Sequence, residues 1–323
     1  MARKVANYAK WTQEEWQTYR RNQKGLGGSD IAAALGVSSY KTPRRLWAEL
    51  AGVIERKDIS HLPAVKMGHK LEPIVADLFA EQTGLKVRRN NWILQHDTID
   101  YLYANIDREV IMPDGSRAVL ECKTANYNSR KMWQGEQVPK EYMAQCQYYM
   151  AITGASKCFL AVLIGGVDFE YWEIDRNEKI IADILEGAAA FWRCVETGAE
   201  PSLDGSEDAA KLLLETYREA EASKTITLDH TDYEKIEVRE ILQKQKAELE
   251  QQINTIDNYF KEQIGKAGAV TALVKDREVK WGITKRKKVD TKALKAAYPS
   301  IVQRYEAAAA KFTTEEIGRR INY

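Results

Sequence analysis

The segment MPDGSR, residues 112–117, constrains this chain more than any other stretch. It separates two strand-like runs, YLYANIDREVIM (101–112) and RAVLECKTA (117–125). Asp-Gly supplies the backbone freedom of a tight turn, and proline does not fit a central ladder, so the two runs are expected to fold back as an antiparallel hairpin. Residues two apart in a strand share a face, so Glu121 and Lys123 point one way and Cys122 the other. Asp107, near the end of YANID, sits on the partner run, and the turn carries it toward Glu121. Two carboxylates sharing a site repel unless a cation lies between them. Oxygen-only clusters of Asp and Glu select hard divalent ions such as Mg²⁺. The bland alternative is an Asp/Glu–Lys salt-bridge network on a solvated sheet face, and the spacing alone leaves both open.

Elements on either side of the hairpin alternate in period. WTQEEWQTYRR opens with Thr12 and has Glu15 three residues on, the pattern of a capped helix. NQKGLGGSDIAAALG follows, a glycine-rich turn running into an alanine-rich helix. Such a turn suits an anion at the helix start, or simply a tight turn capped by Ser29. KTPRRLWAELAG reads as a helix with Pro43 in its first turn and Gly52 at its end. Apolar residues recur at helical spacing from Pro63 to Thr83, with Gly84 as the stop and Pro73 expected to kink the run. LKVRRNNWIL reads as a strand, KEYMAQCQYYMAITG as a helix ending at Gly154, and KCFLAVLIGG and DFEYWEI as two strands joined at Gly-Gly. A long helix covers about residues 176–197. This order predicts an α/β (α+β) class, with a mixed central sheet flanked by helices rather than a doubly wound parallel sheet.

After GAEPSLDGSED the composition shifts to Glu, Lys, Gln and Ala. We place a domain boundary near residue 203, giving 1–203 and 204–323. Ile236, Ile241, Leu242, Leu249, Ile253 and Ile256 recur near heptad spacing, which fits a long helical hairpin or a short coiled coil. The end of the chain reads as a β-hairpin and short helix. Lys275 to Lys288 contains seven Lys/Arg and two acids, a stretch able to grip a phosphate backbone or an acidic partner.

The net charge is only +1, so any polyanion must be bound by local patches. The four cysteines form no C-x-x-C pair, which argues against a zinc site or a disulfide framework and for a reducing cytoplasm. No apolar run reaches the ~20 residues of a membrane span, and the first residues lack a signal-peptide core.

A helix with Glu72, then Asp107, then Glu121-x-Lys123, then a helix with Gln145 and Tyr149 is an order that resembles the PD-(D/E)xK nuclease superfamily. Together with KGLGGSDIAAALGVSSYKTPRRLW it resembles the YqaJ-type viral recombinases, relatives of the phage λ exonuclease, over roughly residues 12–198. The resemblance implies a restriction-endonuclease-like core with a helical and basic C-terminal appendage. It implies phosphodiester hydrolysis with Mg²⁺, Mn²⁺ being expected to substitute. Asp107 and Glu121 match the metal-binding acids, Glu72 the helix acid that holds the metal directly or through water, Lys123 the residue that orients or activates the attacking water, and Gln145 and Tyr149 the helix pair flanking the active site. Arg20 or Arg21, Ser29, Asn105 and Arg130 are the positions for substrate phosphate.

The resemblance further implies 5′-to-3′ digestion of linear duplex DNA with 5′-phosphate ends, leaving 3′ single-stranded tails. The partners it implies are a single-strand annealing protein and further copies of the chain, a trimeric ring being one form, in the cytoplasm of a host if the chain is phage-encoded. Two rivals stand beside this expectation: an endonuclease with an open cleft, and a catalytically silent DNA-binding or assembly module.

Overall fold

The computed structural model describes residues 2–133, 135, 138–219, 224–284 and 290–310. In chain order the elements are β1 (Arg3–Asn7), α1 (Gln13–Asn22), α2 (Gly28–Ala34), α3 (Pro43–Leu50), α4 (Pro63–Thr83), β2 (Lys86–Arg89), β3 (Trp92–Gln95), β4 (Tyr103–Ala104), β5 (Arg108–Ile111) and β6 (Arg117–Ala125). After a short 3₁₀ turn come α5 (Arg130–Trp133), α6 (Lys140–Thr153), β7 (Lys157–Ile164), β8 (Asp168–Asp175), α7 (Glu178–Thr197) and α8 (Glu207–Thr216). The remainder is α9 (Thr231–Lys266), β9 (Thr271–Val274), β10 (Arg277–Lys280), α10 (Thr291–Ala297) and α11 (Pro299–Ala310). The chain divides into two compact units, 1–218 and 219–323.

In the first unit a five-stranded sheet has the order β2-β5-β6-β7-β8. All neighbours are antiparallel except β6 and β7, which run parallel and are joined through α6. That right-sized helical crossover is what a parallel step requires. A smaller sheet, β1-β3-β4, stands beside it. The turn at 112–117 closes as expected, with Arg108 opposite Leu120 and Ile111 opposite Arg117.

The pleat of β6 divides its side chains between two apolar layers. Ala118, Leu120 and Cys122 pack with Val75, Ala76 and Phe79 of α4. Val119 belongs to the other layer, with α2, α6 and α7. Glu121 and Lys123 share the Val119 side by alternation. Charge has therefore been placed on the face that α6 covers.

Several expectations change. LKVRRNNWIL divides into β2 and β3, in different sheets, because Asn90 turns the chain: its Oδ1 accepts from Trp92 N at 2.7 Å and its Nδ2 donates to Glu109 Oε1 at 3.0 Å. YLYANIDREVIM likewise divides into β4 and β5, leaving Asn105, the buried Ile106 and Asp107 in the link. Strand β1 lies in a stretch with no strand pattern in the sequence; it is held by antiparallel pairing to β3. Helix α4 runs through Pro73 without ending.

The boundary drawn near 203 falls ahead of α8, which completes the first unit. Leu212 enters the main core, Thr42 N donates to Asp208 Oδ2 at 2.9 Å, and Arg45 Nη1 reaches Glu215 at 2.9 Å.

Of the two forms expected in the second unit, a helical hairpin or a coiled coil, the hairpin does not form over Thr231–Lys266, which is one 36-residue helix, α9. The β9–β10 hairpin forms as read from the sequence, and Trp281 beyond it comes close to Gly265 of α9. The basic residues Lys285, Arg286, Lys287 and Lys288 lie outside the described residues.

Candidate active site

The β5–β6 ladder, extended one step past Arg108–Leu120, sets Asp107 opposite Glu121. Asp107 Oδ2 accepts from Cys122 N at 2.8 Å, which fixes its carboxylate against the β6 backbone. Glu121 is 3% exposed. Its Oε1 accepts from Lys123 Nζ at 2.6 Å and from Gln145 Nε2 at 2.7 Å. Its Oε2 is buried and has no hydrogen-bond partner. An ionised oxygen left unpaired in a buried place carries the full desolvation penalty, of order 1–3 kcal/mol or more.

Helix α6 supplies the support. Gln145 and Tyr149 are one turn apart on the same face, and Gln145 Nε2 also donates to Tyr149 Oη at 3.0 Å. Tyr149 in turn donates to the Asn105 carbonyl at 3.1 Å. Burial, then the charges of Glu121 and Asp107, push the Tyr149 phenol well above its ordinary pKa, so it stays a neutral donor. Gly28 packs on that ring: a Cβ there would lie 2.3 Å from Tyr149 Cε1. The glycine-rich turn is thus spaced by close approach of α2 to Tyr149.

The electrostatics report one crowded negative point. Burial, then Glu121, then Glu72 raise Asp107 well above the usual carboxylate range, while Lys123 and the Cys122 N–H pull the other way. Burial alone would lower the Lys123 pKa; Glu121 and then Asp107 outweigh it, and the ammonium is held above its ordinary value. The Lys123 Nζ also sits 5.3 Å from the Tyr142 ring centroid, a cation–π contact.

The remaining predicted residues divide. Glu72 is on α4, across the sheet from Glu121, and its Oε1 accepts from Arg108 Nη1 at 2.6 Å. Arg108 Nη1 also donates to the Asp107 carbonyl at 2.8 Å. Glu72 therefore acts on Asp107 by its charge while its side chain is committed to Arg108. No group of three or more His, Cys, Asp or Glu side chains is gathered for a metal ion among the described residues. Asn105 has a buried Oδ1 without a partner.

Ser29 is exposed at the second position of α2. Arg20 is electrostatically coupled to Arg56, Asp30 and Tyr149; Arg21 is turned about 100° around the same helix. Arg130 pairs with Asp168 Oδ2 at 3.2 Å and lies over the Tyr127 ring.

Two residues of this neighbourhood escaped the sequence reading. Arg108 gave only its place beside Asp107. Arg56, which donates to the buried Asp30 at 2.6 Å, follows a helix in a polar stretch and carried no signal.

For a divalent ion the donor set fits at two points: the unpartnered Glu121 Oε2 and the Asp107 carboxylate. Both are hard oxygens whose mutual repulsion a cation would relieve.

Residues 15–156 match the model of the YqaJ-like viral recombinase domain. The chain is 33% identical to the uncharacterized protein YqaJ of Bacillus subtilis (strain 168) over 303 residues, 93% of this chain and 92% of that one. Among solved structures it is similar to an alkaline exonuclease from Laribacter hongkongensis, at 21% identity and a TM-score of 0.47, covering 58% of this chain and 94% of that one. It is also similar to a phage-related exonuclease from Haemophilus somnus 129PT, at 13% identity and a TM-score of 0.42, covering 56% and 97%. No helix among the described residues is long and apolar enough to cross a membrane.

Proposed function

Because this chain belongs to the YqaJ-like viral recombinase family, and with it to the nuclease class its sequence resembles, we propose that it is a metal-dependent exonuclease of linear double-stranded DNA. In this reading it digests 5′ to 3′ from a phosphorylated end and leaves a 3′ single-stranded tail. Mg²⁺ is the working ion and Mn²⁺ replaces it. The observation that carries the reading is the Glu121 carboxylate, one oxygen held by Lys123 and Gln145 and the other buried without a partner beside Asp107.

Asp107 and Glu121 would hold the ion, which when bound polarises the scissile phosphate and lowers the pKa of water. The protein's own groups do the rest. Lys123 keeps its proton at neutral pH, so it stabilises negative charge developing on the phosphate rather than taking a proton from water. Gln145 fixes the Glu121 carboxylate, and Tyr149 fixes Gln145 against the Asn105 carbonyl. Arg108 anchors Glu72, and the pair braces the start of β5, where Asp107 emerges. Arg20 or Arg21, with Ser29, is the proposed holder of the terminal phosphate, and Asn105 and Arg130 are the further positions proposed for substrate phosphate. The tail so produced is the substrate of a single-strand annealing protein, the partner this reading implies in the host cytoplasm.

The experiment compares one sequence as a linear duplex with 5′-phosphate ends and as a covalently closed circle, each with and without Mg²⁺. Progressive loss of the linear form alone, and only with the ion, is the expected result. Cutting of the circle would make the chain an endonuclease, and no ion-dependent loss of either would make it a binding module.

A further inference from the structure

Strand β2 stands at one end of the five-stranded sheet and reads Lys86, Val87, Arg88, Arg89. Its antiparallel pairing with β5 sets Val87 opposite Val110, Arg88 opposite Glu109, and Arg89 opposite Arg108. Opposite charges directly across a ladder stabilise the sheet, and like charges destabilise it. Arg88 is therefore placed where a cation belongs, and Arg89 where it does not.

Residues two apart in a strand share a face. Val87 packs against the apolar layer of α4, so Arg89 and Arg108 lie on the α4 side of the sheet and Arg88 on the other. The two guanidiniums on that side differ in what they hold. Arg108 is buried, and its Nη1 donates to Glu72 Oε1 at 2.6 Å and to the Asp107 carbonyl at 2.8 Å. Arg89 is exposed, and among the described residues its side chain has no ion pair or hydrogen bond. Tyr8 marks where it stands, its Oη donating to the Asn90 carbonyl at 2.9 Å. Burial raises the Tyr8 phenol; of the charges acting on it Arg89 is the strongest, ahead of Asp107, Glu72 and Arg108. Arg89 thus shares the neighbourhood of an acid proposed to hold the ion. Positive side chains on an edge strand also discourage edge-to-edge pairing. Lys86 and Arg88 serve that purpose with no like charge opposite, which leaves the repulsion at Arg89 to be accounted for.

We propose that Arg89 is a substrate-contacting residue whose guanidinium seats a backbone phosphate of the DNA flanking the one that is cut. An anion there relieves the opposition of Arg89 to Arg108, and the planar fork of arginine takes two phosphate oxygens at once. The proposal rests on the nuclease reading, because the anion it names belongs to that reading's substrate.

The test is equilibrium binding of the full chain to a linear duplex, read by fluorescence anisotropy without divalent ion over a range of salt. Arg89→Ala is expected to lower the slope of log affinity against log salt by about 0.9, the share of one phosphate contact, and to weaken binding about eightfold at ~0.1 M salt. Arg88→Ala, the next residue on the opposite face, should leave both unchanged. In steady-state cleavage with Mg²⁺, Arg89→Ala should raise KM and keep kcat within about twofold of wild type, as loss of uniform binding does. Its melting temperature should equal or exceed that of wild type, since the variant removes a like charge opposite Arg108. A wild-type salt slope in Arg89→Ala, or the same loss in Arg88→Ala, would overturn the proposal and leave the nuclease reading standing. A wild type that neither binds nor digests the duplex would overturn both.

Discussion

Glu121, 3% exposed, and Leu249, 58% exposed, depart from the usual partition of residues in opposite directions. In the first unit a charged cluster sits inside an apolar layer; in the second an apolar seam lies on the surface. Single exposed apolar residues mean little, but a buried carboxylate oxygen without a donor and a regular row of exposed apolar side chains are both informative. The difference lies in what each needs. A carboxylate oxygen without a donor, beside a second carboxylate, needs a small cation. A row of aliphatic side chains at regular helical spacing is apolar surface that the described residues leave uncovered. The first feature belongs to the proposed chemistry; the second lies in the other compact unit, outside it.

The largest expected effect falls on the buried cluster. Lys123→Ala should lower kcat by about two to three orders of magnitude, the scale for loss of one charge-stabilising donor, with DNA affinity nearly unchanged in a gel-shift assay. Comparable cleavage by the variant would detach Lys123 from the chemistry.

Gly28→Ala comes next. It drives a methyl into the Tyr149 ring, and overpacking of this kind costs about 1–3 kcal/mol. Thermal melting should show the loss, and because Tyr149 positions Gln145, activity should fall by more than stability alone explains.

Asp107→Asn should do the reverse for stability. The native carboxyl is held above its ordinary value of 3.8, so the folded state binds its proton more tightly than the unfolded chain. The neutral acid therefore favours folding at low pH, and that advantage is lost as pH rises from about 3.8 through the raised value. In the absence of metal, the Asn variant should melt a few °C higher than wild type at neutral pH, with a flatter pH dependence and no cleavage.

The smallest effect belongs to Arg130→Ala. Its pair with Asp168 leaves side chains 39% and 33% exposed, and such pairs contribute about 1 kcal/mol or less. The melting temperature should barely move, so a weakened preference for 5′-phosphorylated ends would identify a phosphate contact.

The hairpin around MPDGSR was legible because turn chemistry and strand alternation agree there, and it delivered Asp107 opposite Glu121 without tertiary information. The α6 pair Gln145 and Tyr149 was legible from spacing together with family resemblance. The β2/β3 break was not: Asn90 and Asn91 read as polar strand residues, and only the side-chain turn at Asn90 shows that the chain changes sheet. The commitment of Glu72 to Arg108 was hidden for a similar reason. Residue order gives the acid its helix, but which face of the sheet that helix covers is settled by packing. In the second unit, composition showed a helix; a single long α9 in place of a hairpin follows from the absence of a turn signal between 231 and 266, where no glycine or proline occurs before Gly265.

The most direct test of the central claim is a titration of metal-free protein with Mg²⁺, read by thermal melting and by calorimetry, for wild type and for Asp107→Asn and Glu121→Gln. The wild type should show saturable binding and a rise in melting temperature that follows ligand linkage, and both variants should lose it. Equal responses in all three, or DNA cleavage by wild type with no Mg²⁺ response, would contradict the assignment of Asp107 and Glu121 as the seat of the ion.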